Sequence, residues 1–348
     1  MYSVMSSEAG LETALARLWG PILPTGWNPN RKFRWYYRDN PKGPGKMFLL
    51  ACGNGGENVV GCAGIANRMV YVNGTPLRAA LLADLGVERE HRTAMPALAL
   101  QRAVRSHCRS AYAFSYGFPN AHALRVYARI GYREVGKLTR YARVLRHAEY
   151  VRRRVGSQPL ANAAGWFLDV PSRLRAGAAS IRRPRSRTIE WVESADGRFD
   201  ALWQRAKDQF AVVEYRGADY LRWRFFGHPS RAFDTAVLAD RVAGTIHAYA
   251  VIERVGDSAN MWDVFGESDD DVRTLLDGVA LAMRQRGAFA LSVYTVGSRL
   301  GDLLVSSGFL PRDANKTLVI DVSESSAAAR NVLLDAANWF IADGGEDS

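Results

Sequence analysis

One stretch of the sequence, between Leu81 and Leu98, joins an apolar strand, a short loop and the start of a helix. Such a junction directs several free backbone N–H groups and the positive end of the helix dipole at one point. Pro96 suits the first turn of that helix, because the N–H that proline lacks would have had no partner within the helix. The stretch therefore predicts a binding site for a pyrophosphate group.

The elements that position this stretch follow from hydrophobic periodicity and turn residues. Helices come first, and a strand meander follows that turns at Asn73-Gly74, a dipeptide favoured in type I′ hairpins. Helices and strands then alternate, and Gly131 ends the last helix. The first half is predicted to have helices at 11–19, 32–38, 95–108 and 121–130, strands at 46–51, 59–70, 76–87 and 111–116, and two final strands within 132–145.

The second half of the chain repeats landmarks of the first half in the same order. The recurring pairs are the tetrapeptides that begin at Arg34 and Arg222, Gly61 and Gly244 within apolar runs, Asp84 and Asp263 near strand ends, and Gly131 and Gly308 before an aromatic residue. Strands are predicted at 232–239, 244–254, 260–265, 289–296 and 316–322, and helices at 270–286 and 300–306. We therefore expect an α/β fold with mixed sheets flanked by helices. The predicted domains are 1–145 and 188–348, joined by an arginine-rich linker at 146–187.

Two motifs of the first half resemble those of the GNAT superfamily of N-acyltransferases. The family carries R/Q-x-x-G-x-G/A on the strand–loop–helix that binds the pyrophosphate of acetyl-CoA. The segment Arg92-Thr93-Ala94-Met95-Pro96-Ala97 matches it, except that Met95 replaces the first glycine. Residues 120–136 match the family's N-x-x-A-x-x-x-Y-x-x-x-G-F-x-x-x-G, with Tyr132 for phenylalanine. The resemblance covers residues 80–136 and extends more loosely over residues 1–145. It implies two tandem GNAT-like domains, each with a mixed, mostly antiparallel sheet.

The resemblance also implies roles for the matched positions, with acetyl-CoA or another acyl-CoA as co-substrate. Asp84 would be the base that takes a proton from the acceptor amine, with Glu88 and Glu90 as further candidates. Tyr127 would be the acid that protonates the leaving thiolate, because a phenol is protonated at neutral pH. The implied cofactor contacts are Leu85, Gly86, Val87 and Asn120 for the pantetheine arm, and Arg92, Thr93, Ala94, Met95, Pro96 and Ala97 for the pyrophosphate.

The two candidate catalytic residues also have structural interpretations. Asp84 corresponds to Asp263, in the half without the cofactor motif, which would suit an ion pair with Arg34 or Arg222 in both halves. Tyr127 has the helical spacing of a core aromatic residue.

Other singled-out residues have alternatives too. Asn120 suits a helix N-cap, a role compatible with cofactor contact. Arg92 would otherwise be a solvated surface arginine. Cys108 has no base nearby and is predicted to be a buried structural thiol. Trp35 and Trp223 occur in both halves and are interpreted as packing residues that do not line a cleft.

The second half lacks the pyrophosphate motif. The segment after Asp263 runs Gly266-Glu267-Ser268-Asp269-Asp270-Asp271, and its carboxylates would repel a pyrophosphate. Leu304 stands where the first half has Tyr127. We therefore expect a degenerate second GNAT-like domain that completes the acceptor cleft.

Composition bounds the remaining classes of function. No apolar run is long enough to span a bilayer. Three separated cysteines and six scattered histidines predict neither a disulfide framework nor a metal site. Together with a start that lacks signal-peptide features, these observations predict a cytoplasmic protein.

The net charge of +11 is concentrated in one segment, because ten arginines stand against two acidic residues between Arg146 and Arg187. That concentration argues against a broad nucleic-acid-binding face. The segment also contains the apolar run 163–168, so it predicts either peripheral contact with an anionic membrane or an inter-domain helical hairpin.

Three classes of function are consistent with the sequence. The favoured one is acyl-CoA-dependent N-acylation of a small-molecule amine, such as an amino sugar or an amino acid. The second is a Fem-type transferase that uses aminoacyl-tRNA, whose phosphates the basic linker would suit. The third is a non-catalytic binding protein in which Met95 has closed the cofactor site.

Overall fold

A computed structural model describes residues 2–6, 11–20, 23, 27–53, 58–146 and 186–342. Within these residues, fourteen strands form one sheet and nine helices flank it. The strands are β1 (Tyr2–Met5), β2 (Lys46–Cys52), β3 (Asn58–Val72), β4 (Thr75–Val87), β5 (Phe114–Gly117), β6 (Arg133–Val144), β7 (Arg187–Val192), β8 (Val212–Glu214), β9 (Asp234–Asp240), β10 (Ile246–Val255), β11 (Ser258–Gly266), β12 (Ala290–Val296), β13 (Leu310–Val322) and β14 (Trp339–Ala342). The helices are α1 (Leu11–Trp19), α2 (Pro29–Phe33), α3 (Ala94–Ala111), α4 (Ala121–Arg129), α5 (Gly197–Ala206), α6 (Ala218–Leu221), α7 (Asp269–Gln285), α8 (Ser298–Ser306) and α9 (Arg330–Leu334).

The same succession of elements occurs in both halves of the chain. It runs β1-α1-α2-β2-β3-β4-α3-β5-α4-β6 in the first half. In the second half it runs β7-α5-α6-β9-β10-β11-α7-β12-α8-β13, with β8 added between α5 and α6. Each half has one parallel pair in its main sheet, β4 with β5 and β11 with β12. The predicted α/β fold with a mixed, mostly antiparallel sheet is confirmed.

The two halves exchange their last strands. The sheet order is β1-β2-β3-β4-β5-β13-β6-β12-β11-β10-β9-β7. Strand β13 of the second half lies between β5 and β6, and β6 of the first half pairs with β12. The prediction of two strands within 132–145 is therefore wrong. That segment is the single strand β6, because the second half supplies the neighbour that a hairpin would have supplied.

Ion pairs fix each exchanged strand to a helix of the other half. Asp321 on β13 accepts hydrogen bonds from Arg105 and Arg109 of α3, at 2.9–3.2 Å. Arg143 on β6 donates to Asp277 of α7 at 2.7 Å. Burial raises the pKa of Asp321, but the hydrogen bonds from the two arginines outweigh it, so the pKa lies below its ordinary value.

Two tryptophans join the halves at the repeated tetrapeptides, which form the π-helical turns Arg34–Arg38 after α2 and Arg222–Phe226 after α6. The Trp35 indole N–H donates to the Trp223 carbonyl at 2.8 Å, and the Trp223 indole donates to the Trp35 carbonyl at 2.7 Å. Their rings stack with centroids 5.5 Å apart, and both side chains are buried. The packing interpretation of these residues is confirmed.

Helices in the described part of the chain are too short or too polar to cross a membrane. The arginine-rich segment, for which membrane contact or a helical hairpin was predicted, lies outside the described residues apart from its ends.

Candidate functional site

A cavity of about 1100 Å³ lies at the end of β4. The sheet opens there, because β4 and β5 are paired only from Ala79 to Leu81 and diverge beyond that point. Helices α1, α3 and α4 and the loop after β4 supply the other walls. The lining residues are Arg17, Leu18, Leu85, Gly86, Val87, Glu88, Arg89, Glu90, Arg92, Thr93, Ala97, Asn120, His122, Ala123 and Val126. Most of the predicted cofactor residues are therefore brought together around one space.

A β-bulge near the end of β4 directs neighbouring side chains to different sides of the sheet. Asp84 and Leu85 both stand opposite Ala63, where the register with β3 shifts. Asp84 has φ +52°, a left-handed conformation that is uncommon for a residue other than glycine. Leu85 lines the cavity, whereas the Asp84 side chain contacts the segment formed by α2 and its π-helical turn.

The N-terminus of α3 offers the cavity backbone donors. No side chain caps its first turn, and the loop before it is tied back by Arg92, whose Nε donates to the Val87 carbonyl at 2.8 Å. Helix α4 differs, because the Asn120 side chain accepts from the N–H groups of His122 and Ala123 at 3.1 and 3.0 Å. Asn120 thus caps α4, which confirms the N-cap interpretation, and it also lines the cavity, while its contact with a cofactor stays a prediction.

The charged residues of the cavity wall are in positive excess, which suits an anionic ligand. Arg17, Arg89 and Arg92 stand against Glu88 and Glu90, and Arg17 lies 3.4 Å from a Glu88 carboxylate oxygen.

Met95, which occupies the position of the motif's first glycine, does not obstruct the cavity. Its side chain is 66% exposed and is absent from the wall that the described residues form. Ala94 begins α3 beside it, and Pro96 is buried behind the wall. The substitution therefore leaves the space at the helix N-terminus open.

Asp84 is held by residues that the sequence did not single out as its partners. Lys32 Nζ lies 2.5 Å from its Oδ1, and the Tyr37 hydroxyl donates to its Oδ2 at 2.6 Å. The Asp84 side chain is 10% exposed and that of Lys32 is 7% exposed. A Cβ at position 64 would overlap the Tyr37 hydroxyl, so Gly64 is what allows this approach.

The predicted partners of Asp84 lie elsewhere. Arg34 is 3.8 Å from Asp39, and Arg222 donates to the Ala195 carbonyl. The expectation of an arginine of the repeated tetrapeptides at Asp84 is wrong. The reason is that Arg34 and Arg222, the first residues of the two π-helical turns, are exposed, whereas Lys32 and Tyr37 are buried and contact Asp84.

Tyr127 is a core residue that stands behind the cavity wall. It is 4% exposed, and its ring meets that of Tyr132 edge-to-face with centroids 5.2 Å apart. Ala123 and Val126, on the same helix, line the cavity, but Tyr127 does not. Its role as a general acid stays a prediction.

The cysteines near the site are protonated thiols. Burial raises the pKa of Cys62 to about 12, with the Asp84 carboxylate as the second cause, and burial likewise raises the pKa of Cys108 to about 12. Neither thiol is therefore suited to act as a nucleophile at neutral pH. The described residues contain no group of three or more His, Cys, Asp or Glu side chains placed to hold a metal ion.

The corresponding helix N-terminus of the second half is closed. Ser268 caps α7 by accepting from the Asp271 N–H at 3.2 Å, and its hydroxyl donates to the Asp271 carboxylate at 2.6 Å. Asp269 of the same turn pairs with Arg299 at 2.8 Å. The N-terminus of α7 is therefore surrounded by carboxylates and capped by Ser268. The N-terminus of α3, in contrast, has no side-chain cap and lies near arginines.

Sequence and structure comparisons give different results. Neither a protein-family model nor a curated protein sequence matches the chain. Many solved structures share its fold, among them three that cover nearly its whole length. They are a conserved protein of unknown function from Enterococcus faecalis V583 described as a probable N-acyltransferase (TM-score 0.64, 12% identity, 92% of this chain and 72% of that one), a GCN5-related N-acetyltransferase from Anabaena variabilis (0.63, 13%, 92% and 73%) and another from Kribbella flavida (0.60, 12%, 94% and 72%). At such low identity the similarity shows the fold.

Proposed function

We propose that this chain, which has the fold of the GCN5-related N-acetyltransferases, transfers an acyl group from an acyl-CoA to the amine of a small molecule such as an amino sugar or an amino acid. The observation that carries the proposal is the cavity at the end of β4, onto which the uncapped N-terminus of α3 opens. Arginines outnumber acidic residues in its wall. Such a site stabilises a pyrophosphate through backbone donors, the helix dipole and charge.

Each part of the cavity wall has a role in that proposal. The N–H groups at the start of α3, with Arg92, would bind the pyrophosphate. The diverging end of β4, from Leu85 to Val87, would offer backbone groups to the amide-containing pantetheine arm, because beyond Leu81 this strand no longer pairs with β5. Asn120 and the first turn of α4 would bound the arm on its other side.

Asp84 and Tyr127 would move the two protons of the reaction. The acceptor amine attacks the thioester carbonyl and loses a proton to Asp84, while the departing thiolate takes a proton from the Tyr127 hydroxyl. Both Asp84 oxygens accept a hydrogen bond, from Lys32 and from Tyr37, and these contacts would hold the carboxylate in position to take the amine proton.

Contacts between the halves support a role for the second half in the acceptor cleft. Lys32 Nζ, which binds Asp84, lies 5.9 Å from the ring of Trp27. That ring in turn meets His228 at 5.2 Å and the Arg231 guanidinium at 5.8 Å, both from the second half. A small amine that reaches Asp84 from the α2 side would therefore pass residues of both halves.

Titration with acetyl-CoA by calorimetry tests the donor site. We expect micromolar binding to the wild type and a loss of at least about tenfold in Arg92→Glu, because the new carboxylate repels the pyrophosphate and frees the Val87 carbonyl. Met95→Gly should bind about as tightly as the wild type, since the Met95 side chain lies outside the wall. Binding that appears only in Met95→Gly would mean a closed site and would favour the binding-protein alternative. Binding of aminoacyl-tRNA without binding of acetyl-CoA would favour the Fem-type alternative.

Catalytic roles are tested with the best amine from an acceptor screen. Asp84→Asn and Tyr127→Phe are each expected to lower kcat by about 10²-fold or more, while the dissociation constant of acetyl-CoA changes little, because each group acts on a proton in the transition state. Asp263→Asn supplies the matched control at the corresponding position of the second half. Equal losses in Asp84→Asn and Asp263→Asn, with parallel losses of stability, would show that both carboxylates have only structural roles.

A further inference from the structure

The two helices α3 and α4, beside the cavity at the end of β4, carry only positive charges. From His91 to Tyr132, a stretch that contains both helices, the sequence has six arginines and neither aspartate nor glutamate. The corresponding helices of the second half have mixed charges, with four aspartates and two arginines in α7 and one of each in α8. Of the two helix pairs, only the one beside the cavity is therefore uniformly positive.

Three of the six arginines are exposed and form neither a hydrogen bond nor an ion pair with any residue that the structure describes. They are Arg102 on α3 and Arg125 and Arg129 on α4. The other three are engaged, because Arg105 and Arg109 share the carboxylate of Asp321 and Arg92 lines the cavity. The three exposed arginines do not line the cavity, so their charges are available to a partner outside it.

These arginines lie on one surface that begins at the mouth of the cavity. His122, Arg125 and Arg129 follow one another at spacings of three and four residues, which places them on one face of α4. His122 lines the cavity, so this face extends from its mouth by roughly 10 Å along the helix axis. Arg102 shares a face of α3 with Arg105, whose guanidinium lies against the turn that ends α4. We call the area around the three exposed arginines the basic surface.

The position of the basic surface suits a donor that is itself a protein. A pantetheine arm ends in a nucleotide in coenzyme A, whereas in an acyl carrier protein it ends in a phosphodiester bond to a serine. The start of α3 and Arg92 would serve the pyrophosphate of the nucleotide, and this leaves the basic surface unused. A protein that covers the mouth of the cavity would contact the basic surface, and acidic side chains would complement its charge.

Nucleic acid fits the basic surface less well. Proteins that bind single strands stack the bases on exposed aromatic rings. Helix α3 contains no Phe, Tyr or Trp, and the one aromatic residue of α4, Tyr127, is buried. The charge of the basic surface and its lack of aromatic rings therefore favour an acidic protein.

We propose that the basic surface binds an acidic acyl carrier protein, whose pantetheine arm delivers the acyl group into the cavity at the end of β4. This inference rests on the proposed acyl transfer and extends it to a protein-bound donor. The amine nitrogen forms a bond to the thioester carbonyl carbon and releases a proton, while the carbon–sulfur bond breaks and the leaving thiolate takes up a proton. The products are an amide and a carrier protein with a free thiol.

Calorimetric titration of the full chain with a purified acidic acyl carrier protein tests the basic surface without any acceptor amine. We expect a micromolar dissociation constant for the holo-carrier at about 50 mM salt, and binding at least about tenfold weaker at about 500 mM salt, because salt screens charges on exposed surfaces. The apo-carrier, which lacks the pantetheine arm, should bind about fivefold more weakly than the holo-carrier, because nothing then enters the cavity.

Two double variants separate the basic surface from net charge. Arg102→Glu/Arg125→Glu should weaken binding of the holo-carrier by about tenfold or more, because it reverses two charges that face the carrier. Its dissociation constant for acetyl-CoA should change by less than about threefold, since neither side chain lines the cavity. Arg241→Glu/Arg254→Glu makes the same change of net charge at exposed positions of the second half, and it should bind the carrier as the wild type does.

Three results would overturn the proposal. They are an equal loss of carrier binding in the two double variants, a loss of acetyl-CoA binding in Arg102→Glu/Arg125→Glu as large as its loss of carrier binding, and tighter binding of a short DNA duplex than of the holo-carrier. A chain that binds acetyl-CoA but no form of the carrier refutes this inference alone. A chain that binds neither refutes the proposed acyl transfer as well.

Discussion

Residues 1–145 and 188–348, produced as two separate chains, are each expected to show no cooperative unfolding transition, although the undivided chain unfolds cooperatively. In the first fragment β5 loses β13, and β6 loses both of its neighbours. Asp321 is also missing, which leaves Arg105 and Arg109 without their shared carboxylate. Unpaired strand edges of this kind favour aggregation over folding. Circular dichroism during urea titration, with size-exclusion chromatography, measures the outcome.

Two controls show whether strand exchange is the cause. Co-expression of the fragments should restore one soluble complex, because each supplies the strand that the other lacks. A protease site introduced within 147–185 allows the full chain to be cut between the halves. The cut protein should stay assembled, and its unfolding midpoint in urea should change little. If fragment 1–145 alone unfolds cooperatively at the midpoint of the full chain, the exchanged strands are dispensable and the two halves are independent domains.

Much of the local structure could be predicted because the signals lie within a few residues of each other. Asn73 and Gly74 adopt the positive φ angles of 46° and 77° that a type I′ turn needs. Gly131 and Gly308 end α4 and α8 with φ of 91° and 84°, which glycine adopts without strain. The helices and strands that were predicted follow from the same kind of local periodicity, whereas β1, β7, β8, β14 and helix α5 were not predicted.

The pairing of the strands could not be predicted in this way. An alternating or apolar run indicates that a strand forms, but it says nothing of which strand lies beside it. The strand predicted at 316–322 is part of β13, but the segment 132–145, predicted to hold two strands, is the single strand β6. The exchange depends instead on contacts between positions far apart in the chain, such as Asp321 with Arg105 and Arg143 with Asp277.

The candidate site was predictable where a motif fixes the backbone and not where side chains from distant elements meet. Seven of the ten residues predicted to contact the cofactor line the cavity, including Leu85, Arg92 and Asn120. The partners of Asp84 were not predicted, because Lys32 belongs to another element. A basic residue in the last turn of a helix is common, so the sequence around Lys32 does not indicate an ion pair with Asp84. The sequence also does not indicate the bulge, because the residue with positive φ there is Asp84 and not a glycine.

Arg68→Met is expected to lower the free energy of unfolding by about 3–5 kcal/mol at neutral pH, the usual loss when one partner of a buried ion pair is removed. Arg68 on β3 and Glu214 on β8 form this pair between the halves, with Arg68 Nε 2.6 Å from Glu214 Oε1. The side chains are 1% and 6% exposed, so solvent screens the pair very little. Tyr220 also donates to Glu214, at 3.3 Å. Urea denaturation of wild type and variant gives the difference.

The loss should grow with pH. Burial raises the pKa of Glu214 above its ordinary value of 4.5, and the charge of Arg68 is the largest effect that opposes it. Without Arg68 that pKa rises further, so the folded variant holds a proton that the unfolded chain has released, and its stability falls as pH rises from 5 towards the new pKa. The double variant Arg68→Met/Glu214→Leu should regain most of the loss and its pH dependence, because no unpaired carboxylate is then buried. Equal losses at pH 5 and pH 8, or a double variant no more stable than Arg68→Met, would show that packing around the Arg68 side chain, and not its charge, stabilises the junction between the halves.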